Sequence, residues 1–191
     1  MIIGITGGTG CGKTTLLHCI RERGGLILDC DQIYHDLLQT DAALLEAIAA
    51  RFPGVVENGA LQRKKLGAIV FSDEKALQDL NKITHAAVKA EVLRQLAARP
   101  ALAAIDAIGL FEGDLASLCQ VTVAVTAPVE NRVRRLMARD GITEEYARNR
   151  IAAQRSNEAF SALCQYTLEN NGDIQAFMAK CLAFLREIGI M

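Results

Sequence analysis

The run Gly7-Gly8-Thr9-Gly10-Cys11-Gly12-Lys13-Thr14 follows an apolar start at residues 1–6 and leads into a helical pattern. It fits G-x-x-x-x-G-K-[ST] in full, in the context that gives the pattern meaning: a strand before and a helix after. The glycines let the backbone turn so that successive N–H groups point inward around a phosphate. The helix N-terminus beginning near Lys13 adds its dipole. Lys13 would reach the β- and γ-phosphates, and the Thr14 hydroxyl would bind Mg²⁺. Gly8, Thr9, Gly10, Cys11, Gly12, Lys13, Thr14 and Thr15 are therefore the expected triphosphate contacts. The alternative, a glycine-rich turn that binds nothing, does not explain why the whole pattern and its context occur together. The loop is expected to hold ATP with Mg²⁺.

Short apolar runs at residues 1–6, Leu26–Asp29, residues 101–106 and residues 121–125 alternate with helical patterns, and Tyr166–Glu169 reads as an edge strand. Buried-type strands separated by helices imply a parallel sheet with helices on both faces. No strand is apparent between residues 32 and 99, where "DAALLEAIAARF" and "EKALQDLNKITHAAVKAEVLRQLAAR" are helical in period. That stretch is expected to form a lobe beside the sheet. A second helical excursion, at residues 129–163, concentrates arginine: Arg132, Arg134, Arg135, Arg139, Arg148, Arg150 and Arg155 face only Asp140, Glu144 and Glu145 between positions 132 and 155. Phe71, Phe111, Phe177, Met178 and Phe184 sit in apolar periodic stretches and are expected in the core.

The 191 residues, 51% of them hydrophobic, suffice for one substantial core with small inserted lobes. Lys plus Arg number 21 against 22 acidic residues, so net charge gives no support for a nucleic-acid or membrane partner. Six cysteines without CxxC spacing read as reduced thiols. The apolar start is too short for a secretory signal, and a soluble cytoplasmic protein is expected. Nothing in the sequence sets the oligomeric state; a monomer is slightly favoured.

A phosphate loop alone does not choose between kinase, GTPase and motor. An N-K-x-D guanine signature is absent, and a motor would be longer. Two helical excursions on a short chain suit a small-molecule kinase, one holding the acceptor and the other forming an arginine-bearing lid. Asp29 and Asp31, in "LDCD", stand at the C-terminal end of the second strand, where an α/β sheet presents its ligand crevice. Alternating along an extended segment, both carboxylates could point to one face, and one could accept or orient an acceptor hydroxyl proton. Capping of the following helix explains the pair equally well.

Taken together, the motifs resemble those of the dephospho-CoA kinase family. The family's "TGGxGxGKS/T" is here residues 6–14, and its Asp-Ala-Asp is Asp29-Cys30-Asp31. Its "GxLxRxxLGxxVF" reads Gly59, Leu61, Arg63, Leu66, Gly67, Val70 and Phe71; its "LNxIxHP" reads Leu80-Asn81-Lys82-Ile83-Thr84-His85 with Ala86 for proline. "DxPLLxE" survives in part from Asp106 to Glu112. "RxxxRD" matches Arg135 to Asp140, "RxxxQ" Arg150 to Gln154, and "NxG" Asn170-Asn171-Gly172. The matches run in family order over almost the whole chain.

The resemblance implies a P-loop NTPase α/β fold of three layers: a five-stranded parallel sheet in the order 2-3-1-4-5, a helical CoA lobe at about 32–99 and a lid at about 129–163. It implies transfer of the ATP γ-phosphate to the ribose 3′-hydroxyl of dephospho-CoA, the last step of CoA synthesis. Asp31 would be the base or orienter, with Asp29, Arg63 and His85 near the substrate. Arg139 and Arg150 would neutralise the transferring phosphate from the lid, and Asn170 to Gly172 would pass beneath adenine. Each has a structural alternative: a surface cation for Arg63, a helix-packing side chain for His85, a helix-end cation for Arg139. Asp106 and Glu112 could serve the metal or the substrate, or cap a turn. The chain departs from the family pattern at Ile108-Gly109, at Phe160 and Gln165 (one lost ion pair would explain both), and at Arg132, where Gln is common. A kinase for another small alcohol, or a non-catalytic ATP-binding regulator, is the alternative.

Overall fold

The computed structural model describes residues 1–190. In chain order the elements are β1 (Ile2–Thr6), α1 (Lys13–Arg21), β2 (Leu26–Asp29), α2 (Cys30–Thr40), α3 (Ala42–Arg51), β3 (Val56–Glu57), β4 (Ala60–Leu61), α4 (Arg63–Val70) and α5 (Glu74–Leu96). There follow β5 (Ala103–Asp106), β6 (Val121–Thr126), α6 (Val129–Asp140), α7 (Glu144–Ala152), α8 (Asn157–Leu163), β7 (Tyr166–Glu169) and α9 (Ile174–Glu187). They form two units. The first comprises Met1–Leu28, Pro100–Phe111 and Leu115–Met191; the second comprises Asp29–Arg99 with Glu112–Asp114.

The first unit is built on a sheet ordered β2-β5-β1-β6-β7. Counting only the sheet strands, this is the expected 2-3-1-4-5. β1 pairs in parallel with β5 (Ile3 opposite Ala104) and with β6 (Ile5 opposite Val123), and β6 pairs in parallel with β7. A central strand covered on both faces must be apolar throughout, which is why β1 reads as a continuous run. Ile3, Ile5, Val123 and Val125 pack with Leu16 and Ile20 of α1 and with Phe177 and Phe184 of α9 into one core. A smaller cluster, Val133, Leu136, Ala147 and Ile151, closes α6 onto α7.

The second unit is helical, with a core of Leu44, Ile48, Phe52, Leu66, Val70 and their neighbours. The expectation of no strand here needs correcting: β3 and β4 form a short antiparallel hairpin, Val56 opposite Leu61. Its turn is Asn58-Gly59, both at positive φ (51° and 73°), the conformation that Asn-Gly favours in two-residue hairpins. Phe71 also differs from expectation. It lies just past α4 and is 88% exposed, although Phe177 and Phe184 are in the core as their periodicity implies.

Candidate active site

Helix α1 opens on Gly12, which stands at φ 96° and offers no side-chain cap, and the first turn carries no acidic residue. By contrast α2, α3, α5 and α9 are capped by Asp29, Asp41, Asp73 and Asp173. The start of α1 thus keeps its dipole and amide donors uncovered by protein carboxylate, which suits an anion. Lys13 Nζ donates to the Gly7 carbonyl at 3.0 Å and lies 3.9 Å from the Asp106 carboxylate at the end of β5.

The loop is held from outside through its carbonyls. Arg132 Nε donates to Thr9 O at 2.8 Å, and Arg135 Nη1 donates to Gly10 O and Cys11 O at 3.2 and 3.3 Å. Asn170, 4% exposed, donates to Cys11 O at 2.8 Å while its own Oδ1 accepts from Arg135 Nη2 at 3.0 Å. Gly12 is glycine for two reasons, its positive φ and the Asn170 amide against which a Cβ would collide. Thr9 N–H is engaged by Gln154 Oε1 at 2.8 Å, so that amide is committed inside the protein. Burial raises the Cys11 thiol pKa, partly offset by the cations Arg132 and Lys13. Cys11 is a neutral core thiol whose contribution to the loop is its backbone.

Beside the loop is a cleft of about 350 Å³ lined by Gly12, Thr14, Thr15, Asn131, Arg134, Arg135, Asn170, Gly172, Ile174 and Phe177. Thr14, Thr15, Asn170 and Gly172 are thereby brought to one place. Where α6 meets α7, Arg139 Nε and Nη2 donate to Asp140 at 2.6 and 3.0 Å, and Arg150 Nη1 donates to the same carboxylate at 2.8 Å. These donors, Arg139 foremost, hold Asp140 down at a pKa of about 2. Much of the arginine excess is spent inside the protein: Arg148 bridges Glu130 and Glu144.

In the second unit, Asp29 Oδ1 accepts from Asp31 N–H and Gln32 N–H, capping α2. Asp31 lies in the first turn of that helix rather than on an extended segment, so the two carboxylates do not alternate along a strand as expected. Asp31 lines a cleft of about 310 Å³ with Tyr34, His35, Leu61, Arg63, Leu66 and Phe71 among others. Arg63 Nη2 lies 2.9 Å from His35 Nδ1. Arginine only donates, so Nδ1 accepts and the ring proton is on Nε2. Burial raises the pKa of Tyr34, with Arg63 opposing. His85 is absent from this cleft, whereas His35 and Tyr34, which sequence reasoning does not single out, are in it. Positions 31, 34 and 35 share a helix face, and that spacing is the signal that could have found them.

The family model for dephospho-CoA kinase matches residues 1–176. The chain belongs to the dephospho-CoA kinase family. A dephospho-CoA kinase of Deinococcus radiodurans is 37% identical, the match covering 98% of this chain and 92% of that one. A solved structure from Thermus thermophilus aligns with a TM-score of 0.82 at 32% identity, over 98% of this chain and 97% of that one. The dephospho-CoA kinase structure from Campylobacter jejuni aligns with a TM-score of 0.67 at 25% identity, over 98% and 96%.

Within this dephospho-CoA kinase fold the departures at Phe160, Gln165 and Arg132 have local explanations. Phe160 is a core side chain, 1% exposed, with no room for a solvated cation. Gln165 Oε1 accepts from Thr122 N–H at 2.9 Å and its own N–H donates to Thr122 Oγ1 at 3.1 Å, tying the start of β7 to β6 without charge. Arg132 is buried against the phosphate loop. Among the described residues no helix is long and apolar enough to cross a membrane.

Proposed function

We propose that this chain transfers the γ-phosphoryl group of ATP to the ribose 3′-hydroxyl of dephospho-CoA, yielding CoA and ADP, as a cytoplasmic enzyme acting on these two small molecules without a nucleic-acid or membrane partner. The observation that carries the reading is the phosphate loop itself: complete in sequence, opening an uncapped helix, and held through the carbonyls of Thr9, Gly10 and Cys11. The family match supports dephospho-CoA as the acceptor.

The residue roles follow from chemistry. Lys13 and the loop amides from Gly8 to Thr15, other than that of Thr9, which Gln154 holds, bind the β- and γ-phosphates, and the cleft lined by Asn170 and Gly172 takes the base end of ATP. Mg²⁺ neutralises phosphate charge when bound. It keeps most of its waters and needs few protein ligands, so the Thr14 hydroxyl fits it without an acidic cluster. Among the described residues, no group of three or more His, Cys, Asp or Glu side chains is placed to hold a metal by itself. Asp31 accepts or orients the 3′-hydroxyl proton, Asp29 fixes the turn that carries it, and Arg63 with His35 binds the acceptor's anionic groups. For His85 the support is the family resemblance alone. Residues 32–99 serve as the CoA lobe and 129–163 as the lid, where Arg139 and Arg150 meet the transferring phosphate.

The test is ADP release with dephospho-CoA, a nucleoside and a sugar acid in parallel. Release confined to dephospho-CoA supports the reading. A nucleoside or sugar acid as the better acceptor points to another small-molecule kinase, and no acceptor-dependent release points to a nucleotide sensor.

A further inference from the structure

Arg132 projects from the first turn of α6 into the protein and is 2% exposed, one of the largest fully buried side chains in the described structure. Its Nε donates to Thr9 O at 2.8 Å, and its Nη2 donates at 3.1 Å to Gln154 Oε1, the same oxygen that accepts Thr9 N–H. Both backbone polar groups of Thr9 are therefore fixed by one Arg–Gln pair. A Cβ on Gly8 would collide with the guanidinium, and one on Gly10 would lie 3.0 Å from the Arg132 carbonyl. The phosphate loop and α6 are fitted to each other at backbone distance.

The charge matters more than the fit. A guanidinium stays protonated in a protein, and burying one without an anion is costly. Among the described residues no carboxylate pairs with Arg132; its partners are a carbonyl and a carboxamide, which are dipoles and leave a net charge in place. The field of Arg132 reaches the loop, since it acts with Lys13 to draw down the Cys11 thiol against burial.

We propose that Arg132 is a positioning residue for the triphosphate: it sets the loop's shape through Thr9 and supplies a buried positive charge that the bound phosphates compensate. The proposal rests on the ATP-binding reading above. It makes the loop of this chain more electropositive than its visible lysine suggests, and it couples α6 to nucleotide binding.

The experiment is titration calorimetry of the full chain with ATP and with AMP for the original protein, Arg132→Lys and Arg132→Gln, alongside thermal melting without nucleotide and steady-state kinetics. Arg132→Gln keeps a donor for Thr9 O but no charge, and should bind ATP about tenfold more weakly. AMP, lacking the β- and γ-phosphates, should lose under about threefold. KM for ATP should rise with Kd, while KM for dephospho-CoA holds. Arg132→Lys, which keeps the charge, should recover most of the ATP affinity. Unchanged ATP affinity in Arg132→Gln, or equal losses for ATP and AMP in both variants, would overturn the proposal in favour of a packing role. If Arg132→Gln fails to fold, folded Arg132→Lys decides: ATP affinity near the original supports the proposal, and loss of ATP and AMP binding alike overturns it. An original protein that binds no ATP refutes the nucleotide reading itself, an outcome distinct from a loss-free Arg132→Gln.

Discussion

Arg150 Nη1 donates to Asp140 Oδ2 at 2.8 Å, on the carboxylate that Arg139 already grips through two nitrogens. The two arginines are thus joined through one aspartate, ten positions from Arg150 and adjacent to Arg139. With its pKa at about 2, below the unfolded value, Asp140 contributes stability that is present above the unfolded pKa and lost as pH falls through the folded one. The melting temperature of Asp140→Asn should therefore lie below that of the original protein by a constant amount at neutral pH. The gap should close between about pH 4 and pH 2. A gap that stays constant to pH 2 contradicts the assignment. Under the proposed lid role of residues 129–163, turnover in Asp140→Asn should fall a few-fold with ATP affinity held, since a lid acts when it closes.

Lys13→Ala should abolish transfer while leaving the melting temperature nearly unchanged. It removes the cation proposed to meet the γ-phosphate, a loss on the order of several kcal/mol of transition-state stabilisation. Near-normal turnover of the folded variant would remove the phosphate loop from the mechanism.

Asp31→Asn should separate binding from chemistry. The amide keeps the shape but cannot take a proton, so turnover should fall by roughly a hundredfold or more, with ATP affinity barely moved. Collapse of ATP binding with turnover preserved would make Asp31 a metal ligand instead.

His35→Ala should raise KM for dephospho-CoA about tenfold by freeing Arg63 from its ring partner. His85→Ala should leave that KM within about twofold, because His85 does not line the Asp31 cleft. Steady-state kinetics at saturating ATP distinguish the two histidines, and the reverse ranking would restore His85 to the acceptor site.

Phe160→Lys, which restores the basic residue common in the family, should destabilise this chain. The ring is buried, and exchanging it for an unpaired ammonium costs about 3 kcal/mol or more. For a chain this size that is roughly a 10 °C fall in melting temperature. An unchanged melt would show that the lysine escapes to solvent.

What is legible in the sequence is local or ordered along the chain. The phosphate loop is contiguous, and the strands that place it are continuous apolar runs, so motif and sheet order can be read together. The Asn58-Gly59 hairpin is equally local, but its turn signal lies inside a stretch dominated by helical period. Arg132 is different in kind. Its contact with Thr9 spans 123 positions, and nothing in "VENRVRRLMARD" separates a buried arginine from its solvated neighbours. Phe71 shows the same limit, since apolar period places it on a helix face without saying whether anything covers that face. Asp31 stands out as a carboxylate of interest, but its helical backbone does not, because the strand stops where Asp29 caps α2.

Which atom receives the phosphate is tested most directly by ³¹P NMR of the products of ATP and dephospho-CoA. The expected result is a new phosphomonoester signal coupled to the ribose H3′, growing in step with ADP and requiring both substrates. ATP consumed to inorganic phosphate without that signal, or a monoester on any other oxygen, would contradict transfer to the 3′-hydroxyl.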